Sequence, residues 1–141
     1  MKKYIILLPI LALVLLPLPK YGEHGAFNTW TGLYWCDNEA ACLHEIGHAL
    51  DKRAGWISQS PGFARALQMY ILTSAGKDDN VIILLAYAFD PPDGQEPTKK
   101  EIYAILFQMA GGREENMPIG LRQFYDWNLA YKMIGDNKNG E

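Results

Sequence analysis

The chain is poor in the side chains that bind metals or carry redox chemistry. Its 141 residues include two cysteines and three histidines. The cysteines, Cys36 and Cys42, are spaced C-x5-C, which is no standard zinc spacing, so the thiols do not read as a zinc site. A basic excess is also missing. Met1 to Lys20 holds three lysines and no acid, and the remainder has 10 basic against 16 acidic residues, a formal charge of −6. A domain of that sign lacks the electrostatic footprint that nucleic acids require, and nucleic-acid binding is set aside. There is no internal repeat and no low-complexity tract. At this length, one domain is the most the chain can build.

The longest apolar stretch, Tyr4 to Leu18, is short of the roughly 20 residues of a relaxed membrane span, and Pro9 and Pro17 interrupt it. Lys2 and Lys3 precede it, the order of a positive n-region and an h-region in a secretory signal. No small-x-small cleavage site follows, and no cysteine stands where a lipoprotein signal needs one. An uncleaved signal-anchor, holding the protein to a membrane through residues 4–18, therefore stays open beside a cleaved signal. Both place the rest of the chain outside the cytoplasm, secreted or membrane-anchored. The expected division is residues 1–20 as export segment and residues 21–141 as the folded domain. In an oxidising compartment Cys36 and Cys42 could pair. Cys42 falls inside an expected helix, however, and the geometry is demanding, so two separate, partly buried thiols weigh slightly ahead.

What the chain does have is Leu43-His44-Glu45-Ile46-Gly47-His48-Ala49-Leu50-Asp51. With Asp37 or Asn38 as cap and Gly55 just past the end, this stretch reads as a helix from about Asn38 to Ala54. Helical spacing puts Leu43, Ile46 and Leu50 on a core stripe and His44, His48 and Asp51 on another. Two imidazoles one turn apart can reach one cation, with Glu45 beside them to polarise a water: the H-E-x-x-H pattern. Asp51 starts another turn along, so it is expected to support a ligand histidine from behind.

The remaining elements are expected to be mainly helical (α+β). Ala26 to Trp35, dense in aromatic and β-branched residues, reads as a strand or hairpin. Ser60-Pro61 opens a helix that ends near Gly76. Val81 to Phe89, apolar on all sides, fits a buried helix or a strand, with helix preferred, and Asp90 to Pro97 is a loop. Another helix runs from about Lys99 to Ala110, stopped by Gly111-Gly112. The last spans about Pro118 to Ile134, with a frayed tail from Gly135. A catalytic zinc takes three protein ligands, and His24 is the one histidine left. The third ligand is therefore His24 or a carboxylate. Glu101 is preferred, because a second helix packed on the first can deliver it and Ala104 one turn on permits close approach. Thr98-x-x-Glu101 also reads as a capping box, in which that carboxylate turns back to its own helix start. Glu96 is the fallback, with Glu114 and Glu115 behind it.

His44-Glu45-Ile46-Gly47-His48-Ala49-Leu50-Asp51, then Gly55-Trp56-Ile57-Ser58 and Ser60-Pro61-Gly62-Phe63, then Glu101 to Phe107, resemble a glutamate-zincin metallopeptidase. The chain is most similar to the anthrax-lethal-factor-like and Pro-Pro endopeptidase group, over roughly Cys42 to Gly112. A three-histidine metzincin pattern does not fit, since Ala54 stands where its last histidine belongs and Asp51 replaces its glycine. The resemblance implies a minimal zincin-like core of about five helices around the H-E-x-x-H helix, with a short strand or hairpin before it. It implies His44, His48 and Glu101 as Zn2+ ligands, Glu45 as general base, and a peptide or protein substrate. The group's catalytic tyrosine, seven residues before the glutamate ligand, falls on Gly94 here, with Tyr87 further back. The rival expectation is a catalytically inactive, metal-stabilised helical module that binds a partner at the cell surface. Hydrolysis of a non-peptide amide would use the same residues.

Overall fold

The computed structural model describes residues 24–74, 76–79 and 99–138. The N-terminal apolar run, the helix expected over 81–89, the loop over 90–97, and with them Tyr87, Gly94, Glu96 and Thr98, lie outside the described residues. The chain runs β1 (Gly25–Phe27), β2 (Tyr34–Cys36), α1 (Glu39–Arg53), a 3-10 turn (Ile57–Gln59) and α2 (Pro61–Ser74). It continues with α3 (Lys99–Met109), a second 3-10 turn (Glu114–Asn116), α4 (Ile119–Arg122) and α5 (Trp127–Lys138). The fold is mainly α with a two-stranded antiparallel hairpin ahead of the first helix, as expected.

β1 and β2 pair Gly25 with Cys36, Ala26 with Trp35 and Phe27 with Tyr34. Between them Asn28 makes an Asx-type turn, its Oδ1 accepting from the backbone N–H of Trp30 at 2.9 Å and of Thr31 at 3.0 Å. The Lys52 ammonium of α1 donates to the Thr29 carbonyl and, at 2.7 Å, to the Trp30 carbonyl, tying the hairpin tip to the helix. At the other end of the hairpin, Cys36 and Cys42 form a disulfide with Cα atoms 5.1 Å apart. The expectation of separate thiols is corrected. Cys42 lies in the first turn of α1, where a helical Cβ leans toward the N-terminus and so toward the end of β2.

α1 starts where Asn38 Oδ1 accepts from the Ala41 N–H at 2.9 Å. Its stripe of Leu43, Ile46 and Leu50 is buried with Phe63 and Leu67 of α2 and Tyr103, Leu106 and Phe107 of α3. Burying side chains of this size is worth about 1.5–3 kcal/mol each. α2 opens as expected, with Ser60 Oγ accepting from the Phe63 N–H at 3.1 Å. α1 packs most extensively on α3, and the crossing is close because Gly47 faces Ala104. A Cβ on Gly47 would sit 2.7 Å from the Ala104 Cα. The single last helix is corrected to two. Tyr125, between α4 and α5, turns inward to stack on Tyr103 with ring centroids 4.1 Å apart. Asp126 then starts a new helix, its Oδ1 accepting from the Leu129 N–H at 3.0 Å. α5 passes through Gly135 to Lys138, beyond the expected end.

Candidate metal centre

The α1–α3 crossing decides what α1's polar face meets. With Gly47 against Ala104, α3 lies close enough for Glu101, one turn before Ala104, to extend its carboxylate over His44 and His48. Glu101 Oε2 is 3.2 Å from His44 Nε2, and Glu101 Oε1 is 3.1 Å from His48 Nε2. The two Nε2 atoms are 3.2 Å apart. A tetrahedral zinc ion with bonds of roughly 2.0–2.1 Å separates its ligand atoms by about 3.3 Å. The two imidazole nitrogens stand close to that separation from each other, and each stands close to it from one of the two Glu101 oxygens. Two imidazoles and one carboxylate are also a known donor set for catalytic zinc, which keeps a further position for water. The residues present therefore fit a zinc ion, and His44, His48 and Glu101 form a group that could bind a metal.

Neighbouring residues fix the rings. His44 Nδ1–H donates to Gln108 Oε1 at 3.2 Å, a contact that would keep the Nε2 lone pair free for a bound metal. The His48 ring stacks on Phe27 of β1, with centroids 5.7 Å apart and planes 23° from parallel. His44 meets His48 edge to face, centroids 4.8 Å apart. Glu45 is 6 % exposed and its side chain lies against β1, where a Cβ on Gly25 would stand 3.0 Å from Glu45 Oε1. A glycine at this point of the strand makes room for that carboxylate.

Burial pushes Glu45's carboxyl up from 4.5, only partly countered by His44 and His48, and Glu101's charge adds to the rise. For Glu101, burial also pushes upward, but hydrogen bonds from both histidines and their charges together outweigh it and hold the carboxyl well below 4.5. Burial pulls His44 down, yet its bond to Glu101 and the charges of Glu101 and Glu45 prevail and raise it above 6.5. Two neighbouring carboxylates are thus pushed in opposite directions: Glu101 toward permanent ionisation, as suits a ligand, and Glu45 toward proton uptake, as suits a base.

The sequence-based expectations divide cleanly. His44, His48 and Glu101 converge, with the Glu101 carboxylate reaching both histidines; the capping partner Thr98 lies outside the described residues. His24 does not join them; its exposed ring pairs with Asp37 at 3.1 Å. Glu114 and Glu115 are exposed on the second 3-10 turn. Asp51 is corrected. It is fully buried, but its Oδ1 accepts from the Ser58 N–H at 2.9 Å and its Oδ2 from the Ser58 hydroxyl at 2.6 Å. Its hydrogen bonds go to the turn after α1, not to an imidazole. Gln108 and Phe27 had escaped notice. Gln108 was findable, lying two turns beyond Glu101 on the same face of α3.

The fold and the site together define a mainly helical domain with a two-histidine, one-glutamate group able to hold a metal ion. No protein-family model matches the chain, and neither a curated protein nor a solved structure is significantly similar to it.

Proposed function

We propose that this protein is an exported zinc metallopeptidase of the glutamate-zincin type. His44, His48 and Glu101 hold the metal, and Glu45 is the general base. The observation that carries the reading is the convergence of the His44 and His48 Nε2 atoms and the Glu101 carboxylate, at contacts of 3.1 to 3.2 Å, on the polar face of a helix that also supplies Glu45. The Cys36–Cys42 disulfide supports export, because such bonds persist in oxidising compartments.

A zinc ion bound there supplies Lewis acidity toward the scissile carbonyl and acidifies water. The protein supplies the rest. Glu45, buried and raised in pKa, accepts a proton from the attacking water and returns it to the leaving amine. Gln108 keeps His44 in the tautomer that presents Nε2, and Phe27 screens the flank of His48 from solvent.

The test is cleavage of a fluorogenic peptide library by the zinc-loaded protein and by Glu45→Gln. Cleavage should fall by about 10²- to 10⁴-fold in the variant, with zinc content unchanged. Robust cleavage by Glu45→Gln would sink the mechanism. Full zinc content without any cleavage by the unsubstituted protein would favour the inactive, metal-stabilised module.

A further inference from the structure

Trp56 is the one non-glycine residue with positive φ among the described residues, at 62°, directly after Gly55 at 70°. A bulky side chain adopts the left-handed region rarely and only when its surroundings hold it there. Here they do. The Trp56 N–H donates to the Asp51 carbonyl at 2.8 Å. Two residues on, Ser58 is pinned through both its N–H and its hydroxyl to the buried Asp51 carboxylate. The turn after α1 therefore has one shape, and that shape presents the indole to α3. Lys100 Nζ lies over the Trp56 ring, 3.7 Å from the centroid. Its positive charge also acts on Asp51. Lys100 immediately precedes Glu101, in the first turn of α3.

The geometry points to the Asp51–Ser58 turn and the Trp56–Lys100 contact as a clamp that positions Glu101. The H-E-x-x-H helix supplies two ligands from a rigid element, whereas the third comes from the first turn of another helix, where fraying is easiest. A cation held over an aromatic face at that turn fixes where the Glu101 backbone sits. The carboxylate then meets the histidines without reorganising when a cation binds. Trp56 and Lys100 touch no metal ligand atom in this scheme; they are positioning residues. The inference rests on the reading of His44, His48 and Glu101 as a metal site.

Zn2+ affinity of the full chain, with the melting temperature of the metal-free protein measured alongside, tests it. Trp56→Leu keeps the apolar bulk and removes the π face; Lys100→Met keeps the stem and removes the charge. Each should weaken Zn2+ binding about tenfold with little change in metal-free melting. Trp56→Phe and Lys100→Arg, which keep the cation over a ring, should stay within about twofold of the unsubstituted protein. In a Glu101→Gln background, Trp56→Leu should cause no further loss, because the clamp acts only through Glu101. Unchanged affinity in Trp56→Leu, or an equal further loss in the Glu101→Gln background, overturns the clamp and leaves the metal site standing. Failure of the unsubstituted protein to bind Zn2+ removes the site and the clamp with it. Should Trp56→Leu not fold, Lys100→Met against Lys100→Arg decides alone: loss in the first and retention in the second supports the clamp, and any other result overturns it.

Discussion

Gly47 carries a demand that is invisible until two helices are brought together. It is an unremarkable x in H-E-x-x-H, yet a methyl group there would meet the Ala104 Cα at 2.7 Å, a backbone atom that cannot swing aside. Gly47→Ala should therefore push α3 outward. A loss of about 1–3 kcal/mol in chemical denaturation is expected, together with weaker Zn2+ binding, since Glu101 moves with α3. A second residue-scale prediction concerns Gln108. Gln108→Leu leaves the His44 Nδ1–H without its acceptor, and on the proposed zinc site affinity should fall about 10- to 100-fold by calorimetric titration. Much at this scale was legible beforehand. His44, Glu45 and His48 follow from spacing on one helix; the scarcity of histidines left His24 or a carboxylate as third ligand, and Glu101 was preferred as the carboxylate a second packed helix could deliver. Asp51 was misread because helical spacing shows which face a side chain occupies but not what folds back onto it. The turn that returns Ser58 to Asp51 depends on two successive left-handed residues, Gly55 and Trp56, and nothing in the residue type of Trp56 announces that conformation.

Among the elements, α1 is fastened at both ends. The disulfide to β2 holds its first turn, and Asp51 and Lys52 hold its last turns to the following turn and to the hairpin tip. Through these ties Phe27 and Gly25 of β1 are kept beside His48 and Glu45. Replacing Cys36 and Cys42 with serine opens a short loop, and the chain-entropy treatment gives a loss of about 2 kcal/mol. The double variant should accordingly melt several degrees lower. Because the hairpin is the wall behind both residues, the proposed peptidase reading expects cleavage to fall by more than zinc content in that variant. An unchanged melting temperature would show that the bond adds nothing to the fold. The hairpin, α1, α2 and α3 were readable from their caps and patterns, with ends within a residue or two. The break between α4 and α5 was not. Pro118 to Ile134 has helical spacing throughout, and what rewards interrupting it is tertiary: Tyr125 stacks on Tyr103 and Phe107 and donates its hydroxyl to the Tyr103 carbonyl at 2.9 Å. Asp126 then reads in hindsight as a cap.

For the molecule as a whole, the site links metal content, protonation and stability. In the metal-free protein Glu101 is held well below 4.5, so its contribution is present above pH 4.5 and is lost as the pH falls toward the depressed value. His44 is raised above 6.5, so its contribution is complete below pH 6.5 and is lost as the pH rises through the raised value. Both are present together only between those limits. Denaturation of the metal-free protein should show its largest advantage over Glu101→Gln between pH 4.5 and 6.5, shrinking on both sides. Zinc reverses the trend on the alkaline side, because ligand imidazoles must be unprotonated, and added zinc should stabilise the protein more as the pH rises through the His44 value. A stability difference from Glu101→Gln that did not vary with pH would refute the coupling.

The central claim is that His44, His48 and Glu101 together hold one zinc ion, and X-ray absorption at the zinc edge of the loaded protein addresses it most directly. One zinc per chain is predicted, with two imidazole nitrogens and a carboxylate oxygen at roughly 2.0–2.2 Å and no sulfur. Glu101→Gln should lose the carboxylate contribution, His44→Ala should lose the metal, and Glu45→Gln should leave the spectrum as it was. Zinc bound with an unchanged spectrum after both His44→Ala and Glu101→Gln would contradict the account.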